Sequence, residues 1–208
     1  MSQLEIGDPL PSFRLPSAQG AELGPEDYRG RSNLILFFAK GMGCGFCRQK
    51  MSQLGLGAPR FRSLDAEILM VAPTTLGRGR FYARNFPLPF PYLCDPDYRV
   101  FALYGMPLRP RSLLEKAQVL VVAARMPQPE VTELGKVRRT LPELSRALND
   151  DDLGFFIADK AGVVRYASAG PYVEVQGGAP VGFRPIPSND EIADVLEACQ
   201  KSTRPRAV

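Results

Sequence analysis

Asn33-Leu34-Ile35-Leu36-Phe37-Phe38-Ala39-Lys40-Gly41-Met42-Gly43-Cys44-Gly45-Phe46-Cys47 is the stretch on which the fold turns. Asn33 to Ala39 is a near-continuous apolar run whose length and aromatic content fit a strand buried on both faces. Glycines 41, 43 and 45 then punctuate a tight turn, after which Cys47, Met51, Leu54 and Ala58 recur at about one helical turn. The order is strand, turn, helix, with a Cys-x-x-Cys at the corner. Gly55, Gly57 and Pro59 predict a kink or a split in that helix, with Phe61 and Leu64 carrying a second piece onto the sheet.

The placement of Cys44 and Cys47 matters for an electrostatic reason. Unpaired N–H groups and the positive dipole end at a helix start lower a cysteine pKa, and the thiolate is the species that attacks a disulfide or a peroxide. Lys40 and Arg48 add positive charge if their side chains turn that way. Two intervening residues put the second sulfur one turn from the first, close enough to expel a bound partner by forming an intramolecular disulfide. Cys44 is expected at the exposed helix tip and Cys47 on the apolar face with Met51 and Leu54, which favours Cys44 as attacker. A pair of buried, reduced, space-filling thiols is the other reading of the same residues. Zinc would have to recruit Cys94, Cys199 or carboxylates, since no second Cys-x-x-Cys exists. A dinucleotide loop is rejected, because Phe46 occupies the third glycine position.

Composition narrows the chemistry further. The 208 residues suit one domain with an insertion or an arm, and 45% hydrophobic with 23% charged residues is globular composition. Histidine is absent from the chain, which removes Ser-His and Cys-His nucleophiles, His-ligated metal and imidazole acid/base catalysis. The net charge of +4 is spread without a stripe, so no nucleic-acid partner is expected. No apolar stretch approaches the ~20 residues of a membrane helix. Met1 to Phe13 shows no secretory pattern, so the chain reads as cytoplasmic and membrane-free. Four cysteines are too few for a disulfide scaffold in a chain this long.

Outward from the corner, the turn-rich first thirty residues suit a short hairpin. Glu67 to Ala72 reads as the next strand, Pro73-Thr74-Thr75 as a helix start, and Phe81, Tyr82 and Phe86 as helical spacing. Phe90 to Cys94 reads as a short strand, and Asp95-Pro96 as the cap and first position of a helix running to about Tyr104. Leu113 to Ala124 fits a strand or a helix equally. Leu141 to Leu148 reads as a short amphipathic helix and Asp150-Asp151-Asp152 as a solvated turn. Phe155 to Ala158 and Val163 to Ala167 form a hairpin around Asp159-Lys160-Ala161-Gly162. Val173 to Pro187 reads as a glycine- and proline-rich loop. Ser188 and Glu191 form a capping box for a last helix whose apolar face is Ile192, Val195, Leu196 and Cys199. Cys199 therefore reads as core. Cys94 reads as a half-buried thiol, with resolution of a sulfenate as the alternative. Arg78, Arg80 and Arg84 read as a solvated helix face, with an anion contact as the alternative.

These landmarks resemble the thioredoxin-fold superfamily, in particular its alkyl hydroperoxide reductase/thiol-specific antioxidant branch and peroxiredoxin-like relatives. Gly7-Asp8-Pro9-x-Pro11-x-Phe13-x-Leu15, Gly20, Leu23 and Tyr28-Arg29-Gly30 are similar to the family's N-terminal signature. Phe38 through Leu54 is similar to a subgroup with a Cys-x-x-Cys, and Leu93-x-Asp95-Pro96 and Phe155 to Gly162 to its later strands. The family motif P-x-x-x-T-x-x-C here reads Lys40-x-x-x-Cys44-x-x-Cys47. On that alignment Cys47 takes the peroxidatic position, the reverse of the thioredoxin-like roles. Leu153 stands where peroxiredoxins supply an arginine and thioredoxins a cis-proline.

The resemblance implies an α/β, thioredoxin-like (peroxiredoxin-like) fold, with a central mixed β-sheet flanked by helices and an N-terminal hairpin extension. The expected organisation is one domain over residues 1–200, an insertion at about 107–152 and a basic tail at 201–208. The implied function is thiol-dependent reduction of protein disulfides or hydroperoxides through Cys44 and Cys47. No cofactor or metal is expected. A thioredoxin-like thiol donor and a disulfide or peroxide substrate are the expected partners, with room for a homodimer. A non-catalytic binding or scaffold domain on the same fold is the alternative.

Overall fold

The computed structural model describes residues 4–106, 112–125, 140–141, 143, 152–171, 173–177 and 179–203. In chain order the elements are β1 (Leu15–Pro16), β2 (Glu22–Leu23), β3 (Asn33–Phe38), α1 (Gly45–Ser63), β4 (Ala66–Ala72), α2 (Leu76–Asn85), β5 (Tyr92–Cys94), α3 (Arg99–Leu103), α4 (Leu113–Arg125), β6 (Asp152–Ala158), β7 (Val164–Pro171), β8 (Val173–Gln176), β9 (Ala179–Phe183) and α5 (Asn189–Thr203). The apolar run that opens the motif is β3, the central strand of a five-stranded sheet ordered β5-β4-β3-β6-β7. β3, β4 and β5 are mutually parallel, whereas β6 runs antiparallel to β3 and β7 antiparallel to β6, so the sheet is mixed.

The run is apolar at every position because both faces of β3 are covered. Ile35 and Phe37 point into a cluster built with Met51, Leu54 and Phe61 of α1, Tyr82 of α2, and Ile192 and Leu196 of α5. Leu34, Leu36 and Phe38 point the other way, onto Leu10, Phe13, Val100, Phe101 and Tyr104. The Phe38 ring meets Phe101, Tyr104 and Phe156 at centroid distances of 5.2, 4.8 and 5.8 Å. β1 and β2 make the short N-terminal hairpin.

Several expectations are corrected. α1 continues through Gly55, Gly57 and Pro59 as one helix, since Met51, Leu54, Ala58 and Phe61 bury a continuous face. Its glycines serve close approach instead: a Cβ on Gly55 would sit 2.8 Å from Pro89, and one on Gly57 2.8 Å from Asn189. Asp95 does cap, but α3 starts three residues later than the Asp95-Pro96 spacing suggests. The Asp95 carboxylate accepts from the N–H groups of Arg99, Val100 and Phe101 at 2.9–3.1 Å, while Pro96 lies in the preceding turn. Leu113 to Ala124, left open between strand and helix, lies in helix α4. The expected loop from Val173 holds the two-stranded hairpin β8–β9. α5 runs to Thr203, so the first part of the expected basic tail is helical. Asp152 opens β6 instead of lying in a turn. Asp150, Asp151 and most of Leu141 to Leu148 lie outside the described residues.

Arg78 is not part of a solvated face. Its guanidinium donates to the Tyr82 hydroxyl at 3.0 Å and to both carboxylate oxygens of Glu143 at 3.0 and 3.3 Å, and Tyr82 also hydrogen-bonds Glu143. Glu143 in turn accepts from the Thr140 N–H and hydroxyl, so one carboxylate ties Thr140 to α2. Burial works to raise the Glu143 pKa, but the hydrogen bonds from Arg78, Tyr82 and Thr140 outweigh it and hold the carboxyl at about 2. A carboxyl depressed on folding stabilises fully above its unfolded pKa and loses that stabilisation as pH falls toward the folded value. Glu143→Gln should therefore lower stability near pH 7 by on the order of 1–2 kcal/mol, after allowance for solvent screening. The gap to the parent chain in urea unfolding midpoints should close as pH approaches about 2. A gap independent of pH would contradict the anchoring role.

Candidate active site

The β3–α1 corner is built on one glycine and one sulfur. Gly41 has φ +90°, the left-handed region that favours glycine, and a Cβ there would lie 2.8 Å from the Tyr92 hydroxyl and 3.1 Å from Thr74 Oγ1. Tyr92 and Thr74 hydrogen-bond each other at 2.8 Å beneath the turn. The Arg48 guanidinium donates to the Met42 carbonyl at 2.6 Å and pins the turn from above. Cys44 is the N-cap of α1: with φ −89° and ψ 117° it stands outside the helix, and its Sγ accepts the Cys47 N–H at 3.2 Å. A sulfur thus fills the role that serine, threonine or aspartate oxygen usually fills at an N-cap.

The Cys47 Sγ lies 2.6 Å from the Cys44 Sγ and donates to it. The two sulfurs are within reach of a disulfide, which needs about 2.05 Å, by side-chain adjustment alone. Both residues are buried: Cys44 is 7% exposed and Cys47 fully enclosed. The expectation of an exposed helix tip at Cys44 is therefore corrected, although Cys44 remains the more accessible of the two. Burial drives the Cys47 thiol pKa well up, and Cys44 adds to this, while the Lys40 backbone N–H and ammonium act in the opposite direction. Of the two cations expected to flank the pair, Lys40 thus acts on Cys47, whereas Arg48 holds the turn.

The apolar cluster that holds the pair also draws on distant sequence. Leu153 adjoins Gly154, which pairs with Phe38 at the end of β3, and it packs in the same apolar cluster as both cysteines. Val122 of α4 and Val173 of β8 join that cluster. Phe46, between the two cysteines, meets Phe183 at the end of β9 edge-on at 5.4 Å, with the Lys50 ammonium 5.9 Å from the Phe46 ring centre. Phe183, Val122 and Val173 were not singled out as site residues from the sequence. The alternation of Val173, Val175, Val181 and Phe183 around Gly177-Gly178 was the signal of a hairpin.

Cys94 ends β5, is buried, and has its thiol pKa pushed up to about 11 by burial, with Arg80 opposing. It packs against α2, where a Cβ on Gly79 would lie 2.6 Å from its sulfur. Cys199 sits in the buried face of α5, as its spacing suggested, with its pKa raised chiefly by burial. Among the described residues no three histidine, cysteine, aspartate or glutamate side chains converge as metal ligands. A brief iodoacetamide pulse at neutral pH should label Cys44 at least about tenfold faster than Cys47, read by peptide mass mapping. Faster labelling of Cys47 would contradict the proton placement described here.

Comparison with known proteins follows the same lines. Peroxiredoxin Bcp of Escherichia coli K12 is 28% identical over 109 residues, and thiol-disulfide oxidoreductase ResA of Geobacillus thermodenitrificans 29% over 116 residues. These matches cover 51% and 53% of this chain, and the chain spans about two-thirds of those relatives' lengths, 67% and 64%. Among solved structures, peroxidoxin BcpB of Mycobacterium tuberculosis superposes with a TM-score of 0.60 over 98% of this chain and 100% of its own, at 17% identity. AhpC of the same organism gives 0.60 over 99% and 98%, also at 17% identity. The fold is therefore that of peroxiredoxins, thioredoxin-like with a mixed sheet between helices. The family model described as AhpC/TSA matches residues 6–127, from the N-terminal hairpin through the Cys-x-x-Cys corner to α4, and the chain belongs to the AhpC/TSA family.

Proposed function

We propose that Cys44 and Cys47 form a dithiol/disulfide couple that reduces hydroperoxides or protein disulfides, with Cys44 attacking and Cys47 resolving. The observation that carries this reading is the pair of sulfurs 2.6 Å apart at the start of α1. Cys44 Sγ receives hydrogen bonds from the Cys47 N–H and thiol, and both favour negative charge on that atom. Cys47, its pKa raised by full burial, keeps its proton until it is called on. The names of the relatives, peroxiredoxin and thiol-disulfide oxidoreductase, support both halves of the reading.

With a hydroperoxide, the Cys44 thiolate attacks the terminal oxygen and the O–O bond breaks. The alcohol, or water from hydrogen peroxide, leaves with a proton, and Cys44 becomes a sulfenic acid. The Cys47 sulfur then displaces that hydroxyl as water and the 44–47 disulfide closes. With a disulfide, Cys44 forms a mixed disulfide and expels one thiolate. Cys47 then gives up its proton, attacks Cys44 and expels the other. Two electrons from a thiol donor, a thioredoxin-like reductant in this reading, restore both thiols. A reducing cytoplasm would keep such a donor supplied, and a homodimer is compatible with the family.

Leu153 bears on which substrate is used. Where the resemblance places an arginine stands a buried aliphatic side chain in the same apolar cluster as the pair, which gives no charge stabilisation to a breaking O–O bond. Lys40 favours the charged form of Cys47 against the burial that raises its pKa.

One equivalent of hydrogen peroxide should convert the reduced chain to a 44–47 disulfide, two hydrogens lighter by mass and reversed by dithiothreitol. Cys44→Ser should abolish oxidation at this site. Cys47→Ser should leave a sulfenate on Cys44 that dimedone captures. Thiols that persist after peroxide and after a model disulfide would refute the couple and favour a binding domain that kept only the fold.

A further inference from the structure

We infer that the contact between Phe46 and Phe183 sets a size limit at the couple, letting small oxidants and thiols reach Cys44 while slowing a protein partner. The inference rests on the redox reading above and assigns Phe183, some 136 residues beyond the motif, as a specificity-determining residue.

The cover has two properties that support this role. It is close: Cys44 retains only 7% exposure and Cys47 is sealed. It is also separable from the frame. β8 and β9 form their own two-stranded sheet, distinct from the five-stranded one, and the hairpin packs against α4. Val173 joins the apolar cluster that also holds the sulfurs, and Phe183 ends the other strand against Phe46. Lifting Phe183 breaks an aromatic contact without opening a central β-ladder.

The chemistry makes the size limit selective. Thiol–disulfide exchange needs the incoming sulfur in line with the bond it breaks. In the reduction step a donor thiolate attacks Cys44 Sγ, Cys47 leaves as a thiolate and takes a proton, and the donor's second thiol displaces Cys44. The donor ends as a disulfide and both cysteines as thiols. A small dithiol can thread that approach alone. A protein cysteine brings its backbone and neighbours, about 5 Å wide even as a single extended strand, and must first displace the ring of Phe183.

The test compares donors of two sizes on the same oxidised chain. Parent, Phe183→Ala and Phe183→Leu proteins are oxidised with one equivalent of hydrogen peroxide, and rereduction by a thioredoxin and by dithiothreitol is followed by quenched mass mapping. Phe183→Ala should speed reduction by thioredoxin about three- to tenfold, the range expected for losing one aromatic contact, and Phe183→Leu by less. Rates with dithiothreitol and hydrogen peroxide should stay within about twofold, which also reports an intact corner. Equal acceleration with both donors, or no change with thioredoxin, would overturn the size limit. Failure of the parent chain to form the 44–47 bridge would instead remove the couple itself, and the size limit with it.

Discussion

A thiol sulfur caps the helix that the whole site is hung from. The Cys47 N–H needs an acceptor because the first turn of a helix has none of its own, and Cys44 Sγ supplies it. The same bond orients Cys44, sets its distance to Cys47 and points the positive end of α1 at one sulfur. The strand before the corner is buried on both faces and the helix after it is buried along one, so neither can shift to relax the geometry. In the proposed couple, redox chemistry and helix initiation share a single atom, so oxidation of Cys44 would be felt by the backbone of α1 as a change in its cap.

The surroundings impose a division of labour. Both cysteines are buried in a large apolar cluster, where two negative charges side by side are prohibitively unfavourable. One sulfur can be ionised if the other holds the proton, and the hydrogen bond from Cys47 to Cys44 describes that arrangement. Cys47 at the family's peroxidatic position would have to ionise in the more enclosed place. The proposed couple follows the thioredoxin-like order, on a frame that superposes with peroxiredoxins.

The parts legible in the sequence are those in which local pattern and tertiary context agree. The doubly buried strand, the glycine corner, the turn at Asp159 to Gly162 and the Ser188–Glu191 capping box all announce themselves within a few residues. What stayed hidden depends on distant partners. Arg78 looks solvated until Glu143, 65 residues on, is placed beside it. Cys44 looks exposed in the sequence, yet it is buried in an apolar cluster that also draws on Val122 and Val173, far downstream. Valines in α4 obscured a helix, and glycine with proline masked the hairpin. Pro59 sits inside α1 because burial of the flanking apolar face outweighs its local helix-breaking tendency.

Gly41 has a consequence for how such a site can diversify. With a left-handed backbone and a tyrosine hydroxyl and a threonine oxygen crowding the place a side chain would occupy, position 41 tolerates no other residue without rebuilding the corner. Variation that retunes the site is left to the residues around it, such as Lys40 before the turn and Phe46 between the cysteines. The corner itself is a fixed hinge pin around which natural variants can drift.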